Sequence, residues 1–264
     1  MLVSDKIKDK LPIDKLNDYY VVMDFDRTIT NGSSKTSWSI LAGSDLVPEC
    51  YVEERDSLYK KYRPIELDEK MDFKERVSLV SEWFRLHIEL FVKYKISEEV
   101  FEKAGCDLRI MEFREGAKEF LAYLSSKNVP VIIISAGIGN FIESFLKANG
   151  AYFDNIYISS NKVIFKDGIA SGVGENIIHS LNKNEVSLPM VVKEKVVGRN
   201  KVMLFGDQIS DLMMVDDSKH DEILKIGFYS TRSEVDLDLF KDSFDIVCVD
   251  CDNYNDLGKV LFNN

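Results

Sequence analysis

Long apolar runs are missing from this sequence: no stretch approaches the ~18 consecutive residues that read as a membrane-spanning helix. The first residues carry Asp5, Lys6, Lys8, Asp9 and Lys10 where a secretory leader would have its apolar core. Together these absences lead to the expectation of a soluble, cytoplasmic protein with no membrane partner. Cysteine is scarce. Four in 264 residues do not make the disulfide framework of a small secreted domain. Cys248-Val-Asp-Cys251 has the spacing of half a zinc site, but Cys50 and Cys106 stand apart and offer no second pair, so ordinary reduced thiols are expected. The histidines, His87, His179 and His220, are scattered and make no metal site of their own. Excess positive charge is also lacking: 34 Lys and Arg face 45 Asp and Glu, a net charge of −11. A nucleic-acid polymer or an anionic membrane needs a basic face, so neither is expected as a partner. A small anionic substrate remains open if a metal and a few lysines reverse the sign locally.

What is present suffices for a full core. Hydrophobic residues make up 45% of the chain and charged ones 30%, which excludes a disordered chain. After a polar N-terminal helix or arm, Val21-Val22-Met23 reads as the end of a buried strand. Loop signals follow in Asn31-Gly32-Ser33-Ser34, Gly43-Ser44 and Pro48, then a helix over 53–62 that Pro64 is expected to stop. Phe73, Val77, Val80, Phe84, His87 and Phe91 recur at steps of four and three and predict one apolar face of a long helix. A further helix is expected over 97–104. Beyond it the period changes. Strands over 129–134, 155–160, 162–165, 201–205, 223–228 and 244–249 alternate with helical patterns, apart from an Asp167-Gly168 turn. That alternation predicts an α/β fold with a parallel sheet covered on both faces. Residues 1–32 and 109–264 are expected to form this Rossmann-like core. Residues 33–108 are expected to form a helical cap inserted after the first strand.

The chemistry gathers at strand ends. Asp24-Phe25-Asp26-Arg27-Thr28 places two carboxylates one residue apart, where they repel each other unless water or a cation intervenes. Ser135-Ala136-Gly137, Lys183 in Asn182-Lys183-Asn184, and Gly206-Asp207-Gln208-Ile209-Ser210-Asp211 take comparable positions. The carboxyl edge of a parallel sheet collects such stretches into one site. Their combined groups suit phosphoryl transfer, with carboxylates holding Mg²⁺ and cations neutralising the transferring group.

The order DxDxT, strand-terminal Ser, Lys, then GDxxxD resembles the haloacid dehalogenase (HAD) superfamily of aspartate-nucleophile phosphatases. Ser135-Ala136-Gly137-Ile138-Gly139, Ile178-His179 with Asn182-Lys183, and Ile223-Leu224-Lys225-Ile226-Gly227-Phe228 resemble the cytosolic 5′-nucleotidase III (pyrimidine 5′-nucleotidase) family more narrowly. Glu82-Trp83 and Asp242-Ser243-Phe244-Asp245-Ile246-Val247 also fit, and the similarity runs from about residue 15 to the last residues. The resemblance implies a HAD-like fold and a Mg²⁺-dependent phosphoric monoester hydrolase. Its substrates would be nucleoside 5′-monophosphates such as UMP and CMP, with nucleoside phosphotransfer as a side activity. It implies Asp24 as nucleophile and Asp26 as general acid and base. Mg²⁺ would be held by Asp24, the Asp26 backbone carbonyl and Asp207, with Asp211 supporting that shell. Ser135, Ala136, Gly137 and Lys183 would hold the phosphate, and Thr28 would fix the loop beside it. A monomer is expected.

Other readings compete at several of these positions. Ser135 also suits a helix N-cap, and Lys147 is the alternative lysine. At the base end, the resemblance points to Glu66 as acceptor for a nucleobase amino group, beside the plain reading of a surface carboxylate. An ungapped count from Trp83 puts His87 where the family can carry a serine. It is either a base contact or a histidine of the cap interior. Residues 31–50 depart from the family in length and composition. Two alternative functions remain: a phosphatase of the same fold acting on a non-nucleotide phosphomonoester, and a receiver-like protein phosphorylated on Asp24. A signalling aspartate needs no general acid, so Asp26 argues against the latter.

Overall fold

The computed structural model describes residues 1–107, 111–185, 188–231, 235–250 and 253–262. The sheet grows from β2 (Tyr19–Met23), every residue of which is buried. Such a strand needs neighbours on both edges and cover on both faces. On one edge Val21–Met23 pairs with Val131–Ile133 of β3 (Val131–Ile138), and on the other Tyr19–Met23 pairs with Lys201–Phe205 of β7 (Lys201–Gly206), both parallel. β4 (Ile156–Asn161) extends the sheet beyond β3, while β8 (Glu222–Tyr229) and β9 (Ile246–Val249) extend it beyond β7. A short β1 (Leu2–Val3) closes the far edge antiparallel to β9, giving the seven-stranded order β1-β9-β8-β7-β2-β3-β4. The N-terminal segment, expected as a polar helix or arm, is therefore an edge strand followed by a 3₁₀ helix over Asp5–Lys10. Two residues are too few to show a strand's alternation.

Side-chain alternation divides the core. Val21, Met23, Val131, Ile133, Met203 and Phe205 point into one cluster. Their neighbours Tyr20, Val22, Ile132, Ile134, Val202 and Leu204 point into the other. Each such buried aliphatic contributes about 1.5–3 kcal/mol relative to exposure. Helices α4 (Ala117–Ser126), α5 (Gly139–Ala148), α6 (Met190–Lys193), α7 (Leu237–Ser243) and α8 (Tyr254–Phe262) lie between strands or after the last one.

Between β2 and β3 run α1 (Glu49–Leu67), α2 (Phe73–Lys93) and α3 (Glu98–Cys106). The expected stop before Pro64 is wrong: α1 continues through Pro64 to Leu67. The ring removes one helical donor, but Pro64 is solvent-exposed on the last turn, where water can meet the freed carbonyl. Packing holds the helix together on the other side: Tyr62 stacks on Trp83 of α2 at 6.2 Å, with the rings 7° from parallel. In α2, Asp72 caps the start by accepting from the Glu75 N–H at 3.0 Å. Val80, Phe84, His87 and Phe91 are buried as the periodicity predicts, whereas Phe73, in the first turn, is exposed. α3 packs on α5, and the hairpin of β5 (Val163–Lys166) and β6 (Ile169–Val173) packs on α2. A bridge between Ser97 and Ile169 joins that hairpin to the helical segment. The expected boundary between cap and core at 108–109 falls at residue 108, outside the described residues.

Candidate active site

The carboxyl ends of β2, β3 and β7 lie side by side, and a cleft opens above them. It encloses about 970 Å³ with its open mouth included. Asp24 caps β2, its N–H bonded to the Phe205 carbonyl of β7 at 3.0 Å. The chain then turns sharply. Arg27 takes a left-handed conformation (φ 64°) and gives its N–H to Thr30 Oγ1 at 2.7 Å. Arg114 clamps the turn, donating to the Arg27 and Thr28 carbonyls while its guanidinium lies 4.2 Å over the Phe228 ring. The turn presents Asp26, whose carboxylate accepts both the N–H and the O–H of Ser37 at 3.0 Å each.

After β7, Gly206 lets the next turn fold onto Asp211. A Cβ at that glycine would stand 2.4 Å from the Asp211 Cβ and 2.5 Å from its Oδ2. That Oδ2 accepts the N–H groups of Asp207 and Gln208 at 3.0 and 3.1 Å. The segment over Ile209–Met214, expected to be helical, is a 3₁₀ helix. One carboxylate oxygen each of Asp24, Asp207 and Asp211 lies within 4.8 Å of the others. Lys183 joins them, bonded to Asp24 and, at 2.9 Å, to Asp211. Its segment is moored to β2 through Glu185, which accepts from the Tyr20 hydroxyl at 2.8 Å and the Asp216 N–H at 3.0 Å.

Burial and crowding set the electrostatics. Burial pushes the Asp24 carboxyl up to about 7, Lys183 opposing this and Asp211 and Asp26 adding to it. Asp26 is pushed up to about 6 by burial, against the two Ser37 hydrogen bonds that favour its charged form. Asp207 is raised well above the ordinary carboxylate range, first by burial and then by the charges of Asp211 and Asp24. Burial alone would lower Lys183, but the Asp211 and Asp24 charges outweigh it and raise the ammonium above its usual value. One lysine thus serves several acids, and the donors on offer are hard oxygens. That set suits a divalent cation of the calcium–magnesium type.

At the end of β3, Ser135 Oγ accepts the Gly137 N–H at 3.0 Å, and the Ala136 carbonyl is fixed by Trp38 Nε1 and Asn161 Nδ2 at 2.8 Å each. Ser135, Ala136 and Gly137 line the cleft with Asp24, Asp26, Lys183, Asp207 and Asp211. Thr28 does not line it: the residue is fully buried, and its Oγ1 has no hydrogen-bond partner among the described residues. Lys147 points away on α5, paired with Glu143. Glu66 and His87 both reach the opposite wall. Glu66 accepts from Ser180 Oγ at 2.6 Å and pairs with Arg63. His87 Nε2 accepts from Trp83 Nε1 at 3.0 Å, and burial, followed by the nearby Arg55 charge, lowers its ring to about 4. His179 donates from Nε2 to Ser81 of α2 at 2.9 Å, its Nδ1 being taken by the Leu181 N–H. Cys50 and Cys106 are exposed and not disulfide-bonded, Cys248 is buried in β9, and Cys251 lies outside the described residues.

Sequence reasoning missed Ser37, Arg114, Arg55, Tyr59 and Arg63. The first two show no signal in the sequence. The last three, with Glu66, fall at steps of four, four and three along α1, a spacing that marks one helix face.

A family model described as "Pyrimidine 5′-nucleotidase (UMPH-1)" matches residues 23–262. A 7-methylguanosine phosphate-specific 5′-nucleotidase of Drosophila melanogaster is 33% identical over 254 residues, covering 92% of this chain and 78% of that protein. A protein of the same description from Homo sapiens is 33% identical over 235 residues, covering 86% and 78%. Among solved structures, cytosolic 5′-nucleotidase IIIB bound to cytidine superposes with a TM-score of 0.84 at 30% identity, over 96% of this chain and 88% of that one. An apo phosphoserine phosphatase superposes with a TM-score of 0.58 at 21% identity, over 92% and 98%, and shares the HAD-like α/β fold.

Proposed function

Since the chain belongs to the pyrimidine 5′-nucleotidase (UMPH-1) family and is a 5′-nucleotidase, a hydrolase of phosphomonoesters, we propose that it hydrolyses UMP and CMP to nucleoside and phosphate with Mg²⁺. In this reading residues 33–108 act as a cap over the catalytic core. Asp24 attacks phosphorus as the P–O5′ bond breaks, and Asp26 gives its proton to the leaving nucleoside oxygen. Asp26 then takes a proton from the water that attacks the Asp24 phosphoryl group. That step frees inorganic phosphate and restores the Asp24 carboxylate. Mg²⁺ held by Asp24, Asp207 and the Asp26 carbonyl would neutralise charge on the phosphoryl oxygens. Lys183 and the Ser135–Gly137 turn hold those oxygens, and Asp211 keeps the Asp207 turn in place. Attack by a nucleoside hydroxyl in place of water gives phosphotransfer as the side reaction.

The observation that carries this reading is the meeting of Asp24, Asp207, Asp211 and Lys183 at one strand edge, with Asp26 two residues beyond the nucleophile. The named substrate of the relatives, 7-methylguanosine phosphate, supports a second reading of the base specificity. Cytosolic location is supported by the names of relatives such as the putative cytosolic 5′-nucleotidase 3 of Caenorhabditis elegans. Among the described residues no helix is long and apolar enough to cross a membrane. Initial rates with UMP, CMP, 7-methyl-GMP and phosphoserine, with Mg²⁺ and with EDTA, test the proposal. Turnover of UMP and CMP that EDTA abolishes is expected. Turnover of phosphoserine alone would refute it.

A further inference from the structure

General-acid work depends on aim: the proton must come within hydrogen-bond reach of the oxygen that departs. An aspartate alone does not fix that aim, because rotation about its last side-chain bond is broad. For Asp26 it is fixed by Ser37, whose N–H meets Oδ1 and whose O–H meets Oδ2, each at 3.0 Å. Among the described residues no other group hydrogen-bonds to this carboxylate, since Lys183 goes to Asp24 and Asp211 instead. Two donors from one residue hold the carboxyl plane, and each oxygen keeps a lone pair free for a proton. Ser37 is itself built into its place, being only 1% exposed. Its Oγ accepts the Ile138 N–H at 3.4 Å, which leaves its own proton for Asp26. A Cβ on Gly137 would stand 2.2 Å from that Oγ, so the bare glycine backbone makes room for it. Thr36 and Trp38, on either side in the chain, line the cleft with Asp26, but Ser37 does not. Ser37 therefore lies behind the carboxylate, out of the substrate's reach.

We propose that Ser37 is a positioning residue for the leaving-group step: it aims the Asp26 carboxyl into the cleft, so that its proton reaches the departing oxygen as the P–O bond breaks. The inference rests on the nucleotidase reading, with Asp26 as its acid. In that step the bonding electrons go to the ester oxygen, which takes the Asp26 proton. Asp26 is left as a carboxylate, and the two Ser37 donors bind that charged form more strongly than the acid. Ser37 keeps its own proton throughout. The benefit depends on what leaves. A nucleoside 5′-oxygen departs as a strongly basic alkoxide unless it is protonated, whereas p-nitrophenolate departs without help and phenolate stands between them.

The test measures kcat/KM, which covers the steps up to loss of the leaving group, for UMP, phenyl phosphate and p-nitrophenyl phosphate with Mg²⁺. It compares the native protein with Ser37→Ala, Asp26→Asn and the double variant. Ser37→Ala is expected to lower kcat/KM for UMP by about 10- to 100-fold, part of what a general acid contributes, to lower it less for phenyl phosphate, and to leave p-nitrophenyl phosphate within about twofold. In the Asp26→Asn background, which has no proton to aim, Ser37→Ala is expected to cost no more than about twofold further. Should Ser37→Ala fail to fold, Ser37→Cys, which fills the place with a weak donor, is read in the same way. The proposal is overturned if Ser37→Ala slows all three substrates equally, if it leaves UMP unchanged, or if its cost multiplies with that of Asp26→Asn. Turnover of both aryl phosphates with none of UMP would instead sink the nucleotidase reading, and the contrast between the two aryl phosphates would still judge Ser37.

Discussion

Gly206 occupies a place where a single methyl group cannot fit. Its Cβ position lies against the Asp211 side chain, which is itself held by two backbone N–H groups and by Lys183. Gly206→Ala is expected to push Asp211 and the Asp207 turn aside, lowering kcat by at least about tenfold and stability by about 1–3 kcal/mol. Steady-state kinetics and urea unfolding check both, and unchanged kcat would show the turn has slack. At this scale the acids were legible in the sequence because their chemistry is local. Asp24 and Asp26 share one strand end, and Asp207 and Asp211 share one turn. Ser37 and Arg114 were not legible, since what brings them to the Asp26 loop is tertiary packing across 11 and 86 residues of chain. Thr28 shows the converse: a residue beside the acids in sequence turns into the interior because the Arg27 conformation reverses the chain.

Among the elements, α1 shows how packing overrides a local rule. Pro64 reads as a stop, yet the turn beyond it exists and carries Glu66 to Ser180. The proline still leaves the helix one hydrogen bond short. Pro64→Ala is therefore expected to stabilise the protein by about 1–3 kcal/mol, read as a higher urea midpoint with unchanged slope, while leaving activity within about twofold. A lower midpoint would mean that the ring's fixed φ holds the last turn in place. The long periodic helix and the central strands were legible because their apolar spacing repeats over many residues. The two-residue β1 and the packing of the β5–β6 hairpin on α2 were not, because neither leaves a repeat to read.

For the whole molecule, the acid excess concentrates its consequences at the sheet edge. Carboxyls raised to about 7 and 6 at Asp24 and Asp26, with Asp207 raised too, bind protons more tightly in the folded chain than in the unfolded one. The stability they allow is therefore full below about pH 4, the unfolded carboxylate range, and is lost as pH rises toward 7. In EDTA, the Tm should fall across that interval, and Mg²⁺ should raise it more near pH 7 than near pH 5. A Tm independent of Mg²⁺ at pH 7 would count against a cation among these acids. The parallel α/β class was legible from alternation alone. Of the cleft's far wall, Glu66 and His87 were named from the sequence, whereas Arg55, Tyr59 and Arg63 were not, because helix faces meet there only after folding.

The central claim is that Asp24 carries the phosphoryl group. Rapid acid quench during UMP turnover, followed by peptide mass analysis, measures it most directly. The account predicts one added phosphoryl group on the peptide containing Asp24, absent in Asp24→Asn, which should also lose turnover. Full turnover by Asp24→Asn, or a phosphoryl group trapped on another residue, would contradict it.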